Sequence, residues 1–265
     1  MKKKLLSLIL MILSSVLTLA ACSGSGDKPY RVIETLGQAQ YCAAFRADDP
    51  VADEVCAALS VLAADGTIAS LSQQWIGEDL SCLSGDKNAL EKLESRSERT
   101  SLIIGVEEEF RPLSYSDGGE YMGFTVDLAR RIGALLGWDI RIQPMAASEL
   151  TAQLVSGNVD CALGFDTEGA DVSKLRVGEC YMESSIVLAS LSDGDVKHIR
   201  DLKDLKIGAV KGTSAVSAAA SSEKAAKYAQ SITAYLSPLR CINALREGWC
   251  AAIAMDEIML EAYFR

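Results

Sequence analysis

Apolar positions fall into two rhythms along this chain. From Ser101 onward, short apolar runs alternate with stretches in which apolar residues recur every three or four positions. The runs SLIIGVE (101–107), DIRIQPM (139–145), VDCALGF (159–165), LKIGAV (205–210) and CAAIAMD (250–256) predict buried strands. TVDLARRIGALLG (125–137) predicts a helix with Leu128, Ile132, Leu135 and Leu136 on one face and Gly137 as its stop. SELTAQLVSG (148–157), a long alanine-rich stretch after Gly212, and SPLRCINALREG (237–248) predict further helices. Helices set between short buried strands imply crossover connections and largely parallel sheets.

Ahead of this alternation stands a helix pair that reads like the end of a domain. Asp49 and Pro50 open a helix with Val51, Val55, Leu59 and Leu62 at helical spacing, and Gly66 closes it. Thr67 is expected to cap a second, shorter helix with Ile68, Leu71 and Trp75 on one face. Residues 84–100 (SGDKNALEKLESRSERT) are almost all polar or charged and predict a solvated helical linker.

Composition adds location. Lys2, Lys3 and Lys4 precede an apolar run from Leu5 to Leu19, followed by Leu19-Ala20-Ala21-Cys22. A basic start, a short apolar stretch and small residues before a cut describe a secretory signal over residues 1–21. Residues 22–29 then read as a flexible tether. The chain has 265 residues, 49% of them hydrophobic, enough for a sizeable core. Its net charge of −10 becomes −13 once residues 1–21, with three lysines and no acid, are removed. That balance argues against nucleic acid as a partner. Of eight cysteines, Cys22 stands at the cut and seven remain, an odd number whose pairing sequence alone does not give. With one histidine, His198, and no CxxC spacing, no metal site and no cofactor are expected.

Several motifs together carry a family likeness. SLIIGVEEEFRPLSYSDGGEYMGFTVDLARRIGALLGWDIRIQPM, LVSGNVDCALGF, DLKDLKIGAVKGTSA and LREGWCAAIAMDE follow the order seen in bacterial extracellular solute-binding proteins of the polar amino-acid class, family 3, which this chain resembles from Ser101 onward. Leu19-Ala20-Ala21-Cys22 similarly resembles a bacterial lipoprotein signal, in which Cys22 receives the lipid. The resemblance implies an α/β fold, a two-lobed clamshell of the type II periplasmic-binding-protein kind. Each lobe would be a mixed, mainly parallel sheet flanked by helices. The family's closing pieces stand at the front, as YRVIETLG (30–37), QYCAAFRADD (40–49) and ADGTIASLSQQWIG, so the chain reads as circularly permuted. Residues 84–100 would join the old end to the old beginning. One lobe is then expected over 40–180 and the other over 30–37 plus 186–265, with hinges near 37–41 and 181–185. A fragment of a tandem array, each half folding against a neighbour, is the competing account.

Ligands of open α/β sheets bind beyond the carboxyl ends of strands, and the resemblance places four such exits around one cleft. The first exit offers Glu107, Phe110, Arg111 and Tyr115, and the second Gly164, Phe165 and Asp166. Lys211-Gly212-Thr213-Ser214 opens a helix whose free N–H groups suit an anion, with Lys211, Thr213 and Ser214 as candidates. Asp256 matches the acid that meets a ligand ammonium in the family. The family's carboxylate-binding arginine has no counterpart: Asp171 falls near its place, with Lys174, Arg176 or Arg111 as possible substitutes, and Ala147 stands where an aromatic is expected. The extra acids suggest a ligand with more positive charge.

The resemblance therefore implies a non-enzymatic, lipid-anchored receptor on the outer face of the bacterial cell membrane. It would act as a monomer, bind an amino acid or related amine between its lobes and pass it to an ABC permease. A dehydratase- or lyase-type enzyme on the same scaffold, or a sensor without transport, are the other readings. Against an enzyme stands the lack of a recognisable nucleophile–base pair.

Overall fold

The computed structural model describes residues 28–168 and 170–264; the signal segment, Cys22 and the tether up to residue 27 lie outside the described residues. Eleven strands are described, in chain order β1 (Tyr30–Arg46), β2 (Ser101–Glu107), β3 (Tyr115–Asp117), β4 (Glu120–Met122), β5 (Asp139–Met145), β6 (Cys161–Asp166), β7 (Leu175–Val177), β8 (Met182–Leu191), β9 (Lys206–Val210), β10 (Ser231–Tyr235) and β11 (Ala252–Asp256). The main sheet runs β10-β9-β11-β8-β1-β6-β2-β5, with β7 also on β1 and β3-β4 a separate hairpin. Pairing is parallel at both ends, among β9, β10 and β11 and among β2, β5 and β6. At the centre, β8, β1 and β6 pair antiparallel.

β1 shapes the molecule. Its first part pairs with β8 from Tyr30↔Leu191 to Tyr41↔Met182, and its last part pairs with β6 from Tyr41↔Asp166 to Phe45↔Cys161. The strand thus leaves one half of the sheet and enters the other without a break. Where sequence suggested separate pieces at 30–37 and 40–49, one ladder runs through, because Gln38 to Gln40 keep pairing with Ser185 to Glu183. Burial changes along it: Ala43, Ala44 and Phe45 are fully enclosed, as befits a strand covered on both faces.

The helices are α1 (Val51–Ala64), α2 (Thr67–Trp75), α3 (Phe124–Leu136), α4 (Leu150–Ser156), α5 (Ser214–Ser221), α6 (Glu223–Tyr228), α7 (Pro238–Arg246) and α8 (Glu257–Phe264). α1 to α3 cover β2 and β6 with Val55, Leu59, Ile68, Leu128 and Ile132, all buried. Each such side chain contributes about 1.5–3 kcal/mol by leaving water. On the opposite face of β2 and β6, Met145, Leu150, Leu154, Val159 and Phe165 form a second cluster. In the other half, Ile207, Ile253, Ile242 and Leu188 form the core between sheet and helices. The Trp75 indole donates to Asp127 Oδ2 at 3.0 Å, fixing α2 to α3, and the Tyr30 ring lies 5.2 Å from that of Phe264.

Four local expectations need correction. Residues 84–100 form only a short 3-10 turn, Ala89–Lys92, and are bound to the body. Glu54 accepts from Ser97 N at 2.8 Å and from Arg96, and Arg99 pairs with Asp160 at 3.0 Å, so these charges are anchors for an extended strap. The alanine-rich helix breaks at Ser222, whose extended backbone lets its hydroxyl accept from Ala225 N and start α6. Thr67 begins α2 without capping it: Gly66 takes the cap position at φ 83°, and Asp65 Oδ1 accepts the Thr67 N–H at 2.9 Å. Leu135 of α3 points outward, while Leu136 is buried.

Candidate functional site

The strand ends of the two halves face each other, and three carboxyl groups meet there. Glu107 is the last residue of β2, Asp166 of β6 and Asp256 of β11. Together with Tyr41, Phe110 and Ser214 they line a cavity of about 10 Å³, enough for about one water molecule. Ile186, Val210, Met255 and Met259 complete an apolar wall. No lysine, arginine or histidine lines it among the described residues.

The three acids are held differently. Asp256 accepts from Tyr41 Oη at 2.5 Å, from Ser184 Oγ at 2.6 Å and from Ile258 N at 3.0 Å. Burial raises its carboxyl to about 6, against those three donors, with Asp166 adding to the rise. Asp166 reaches across the contact: its Oδ2 accepts the Ser214 N–H at 2.6 Å, and its Oδ1 accepts from Glu168 N at 3.2 Å. Helix α5 is therefore capped by a carboxylate from the opposite half. Its own Thr213 is turned away, donating its hydroxyl to Val210 O at 2.8 Å. Glu107 is 6% exposed, and its carboxyl receives no hydrogen bond from the described residues. Burial, followed by the negative Asp166 and Asp256, pushes it up to about 8.

Further contacts hold the halves together. The Tyr263 hydroxyl of α8 donates to Glu109 O in the loop after β2. Glu109 itself sits at φ 59°, a costly conformation for a residue with a side chain. Gly212, at φ 85°, lies against Ser148, and a Cβ there would come within 2.8 Å of Ser148 N. Only glycine fits both the backbone angle and this approach. A ligand larger than water enters only if these faces part.

Of the residues expected from sequence, Glu107, Phe110, Asp166, Thr213, Ser214 and Asp256 come together around the cavity. The others do not. Lys211 is exposed, and the Arg111 guanidinium stacks 4.0 Å from the centre of the Tyr115 ring, whose other neighbour is Trp75. Phe165 belongs to the cluster on the far face of β6, because neighbours on a strand point opposite ways. Gly164 donates its N–H to the Tyr181 hydroxyl at 2.7 Å. None of the suggested substitutes for a carboxylate-binding arginine reaches the cavity: Arg176 pairs with Asp53 at 2.5 Å, and Lys174 is exposed. Sequence reading missed Tyr41, which sits in mid-strand where the period-2 pattern is hidden by apolar neighbours on both faces. Away from the cleft, the ligand atoms of Cys82, Cys180 and Glu183 lie within 4.8 Å of one another, a grouping brought together by folding and invisible to spacing rules.

Residues 102–234 match the bacterial extracellular solute-binding proteins, family 3, and the chain belongs to that family. It is 28% identical over 120 residues to the arginine-binding extracellular protein ArtP of Bacillus subtilis (strain 168), covering 45% of this chain and 47% of that one. The chain spans about half the length of the curated relatives it matches. Among solved structures, an ancestral arginine-binding protein bound to arginine superposes with a TM-score of 0.53 at 21% identity, over 63% of this chain and 74% of that one. An ancestral amino acid-binding protein, a precursor of cyclohexadienyl dehydratase, gives a TM-score of 0.54 at 23% identity, over 62% and 73%. These likenesses establish the two-lobed, type II periplasmic-binding-protein-like fold.

Proposed function

We propose that this family-3 protein is an extracytoplasmic receptor that closes its two lobes on an amino acid or related amine and presents it to an ABC permease. The observation that carries the reading is the meeting of Glu107, Asp166 and Asp256 between the halves, without a lining lysine or arginine. Such a cleft is electrostatically complementary to a cation, which would supply the charge the buried acids lack. Closure then couples occupancy to shape, since the closed form is the one the ligand favours. Titration calorimetry with cationic, neutral and acidic amino acids and with amines tests this. Binding of a cationic compound alone is expected, and preference for an acidic or neutral compound would overturn it.

Membrane attachment through Cys22 belongs to the same reading, supported by the Leu-Ala-Ala-Cys pattern and by the family's extracellular character. Expression with a labelled fatty acid should mark the protein, and Cys22→Ala should move it from the membrane to the soluble fraction. Unlabelled wild type would refute the anchor.

We also read the element order as permuted, with lobes over 40–180 and over 30–37 plus 186–265 and hinges near 37–41 and 181–185. In support, β1 lies between β8 and β6 of the same chain, Tyr30 rests on Phe264, and the strap 84–100 ties back onto α1. A chain rejoined from Phe264 to Tyr30 by a short linker and opened within 84–100 should fold to the same circular-dichroism spectrum. Failure of that chain to fold, with several linkers, would count against permutation.

An enzyme of the dehydratase type is the second reading, favoured by one observation: Glu107, raised to about 8, could hold a proton at neutral pH. Turnover of a bound compound in purified protein would establish it, and unchanged ligand after long incubation would exclude it.

A further inference from the structure

We infer that the cleft is built for an aliphatic amine that carries no carboxylate, because the protein's own Asp166 already takes the N-terminal N–H of α5. This rests on the receptor reading above and narrows its ligand. An α-amino acid brings a carboxylate that must find donors once water is removed. The first N–H groups of a helix are the natural donors for it. Here Ser214 N is given to Asp166 Oδ2 at 2.6 Å. The basic side chains on which a ligand carboxylate could otherwise call are committed elsewhere or point away: Arg111 stacks on Tyr115, Arg176 holds Asp53, and Lys211 is exposed. A ligand carboxylate would meet three acids and find the Ser214 N–H already taken.

An ammonium group meets the reverse situation. The Glu107 carboxyl is buried, lines the cavity and receives no hydrogen bond from the described residues. Asp256, opposite, has donors from Tyr41 and Ser184 that hold it in place. Ile186, Val210, Met255 and Met259 supply an apolar wall along which a methylene stem can lie. The chemistry recognised is a cationic head on a short hydrocarbon chain, as in a diamine or a guanidino-amine.

Two pairs of compounds isolate the carboxylate as the only difference: lysine with cadaverine, and arginine with agmatine. Calorimetry on the purified full-length mature protein should give the decarboxylated member of at least one pair an affinity at least tenfold higher. Equal or tighter binding of the amino acids would overturn the inference while leaving the receptor reading intact. Failure of all four compounds, with a neutral or acidic ligand binding instead, would overturn both. Asp166→Ala and Asp166→Gly remove the side-chain acceptor that occupies the Ser214 N–H. Either folded variant should shift the amine-to-amino-acid preference at least tenfold toward the amino acid, and an unchanged preference in both would refute the role of Asp166. Melting curves of each variant report folding separately from preference.

Discussion

Glu107 and Asp256 end strands in opposite halves of the molecule, and each is 6% exposed, yet they sit at about 8 and about 6. Burial is matched, and the ordinary values, 4.5 for Glu107 and 3.8 for Asp256, cover only part of the gap. The rest is in donors. Asp256 has Tyr41, Ser184 and the Ile258 N–H around it, and its ionised form is stabilised by each. Glu107 has none from the described residues and two acids for neighbours. One lobe therefore presents an acid whose ionised form is held by three donors, and the other an acid held by none among the described residues. On the reading proposed above, the first would be the anchor of a cationic ligand and the second a reporter of occupancy.

The largest effect should come from Asp256→Asn. The amide retains one acceptor oxygen, but its NH2 confronts donors that the carboxylate had satisfied. Hydrogen bonds to a buried charged group are worth about 1.5–3 kcal/mol each, so losing part of this set should lower the melting temperature markedly. Amine affinity should fall at least a hundredfold by calorimetry. A variant that melts and binds like wild type would mean that Asp256 is not the anchor.

Glu107→Gln should act with the opposite sign on the unliganded protein. In the folded chain Glu107 keeps its proton up to about pH 8, whereas its ordinary value is 4.5. Between those limits the folded state holds the extra proton, so stability falls as pH rises. The contribution is intact below about 4.5 and is lost on passing through 8. Asp256 contributes in the same direction between 3.8 and about 6. The unliganded wild type should thus melt progressively lower from pH 5 to pH 8.5, and Glu107→Gln should remove most of the decline above pH 6. A decline of equal size in the variant would place its origin elsewhere. Binding by the variant should weaken about tenfold.

A related measurement separates the two acids without mutation. If a cation ionises Glu107 but finds Asp256 mostly ionised, binding at pH 7 should release up to about one proton. Calorimetry in buffers of different ionisation enthalpy counts it. No release at pH 7, together with release at pH 5.5, would assign the coupling to Asp256 alone.

The comparison also explains what sequence could and could not disclose. The acids themselves were readable, because strand ends are where sheets of this kind present side chains, and each acid closes an apolar run. Helix stops at Gly137 and Gly157 were readable for the same local reason, a left-handed backbone that glycine tolerates. Phe165 could have been excluded from the cleft by the two-residue period once Asp166 was placed there. What separates Asp256 from Glu107 was not readable. Tyr41 and Ser184 are 215 and 72 residues from Asp256; the antiparallel pairing of β8 with β11 brings Ser184 to it, and that of β1 with β8 brings Tyr41. Likewise the polar strap 84–100 looked solvated because its partners, Glu54 and Asp160, lie far off in sequence.

The smallest effect is expected at Ser184→Ala, which carries Asp256 one step toward the condition of Glu107. The change deletes the 2.6 Å donor to Oδ1 but leaves Tyr41 on Oδ2 and the Ile258 N–H in place. Removing one donor to an ionised carboxyl raises its titration point, and Asp256 starts at about 6, close to neutrality. At pH 7 a larger share of the variant carries the proton, so amine affinity should fall a few-fold, with the deficit closing by pH 8.5. A stability loss of about 1 kcal/mol accompanies it, since Ser184 is buried and a single hydrogen bond is exchanged for none. The pH dependence is the informative part. A deficit that stays constant from pH 6 to pH 8.5 would mean that Ser184 positions the chain without supporting the charge, and the contrast between the two acids would then rest on Tyr41 and the backbone alone.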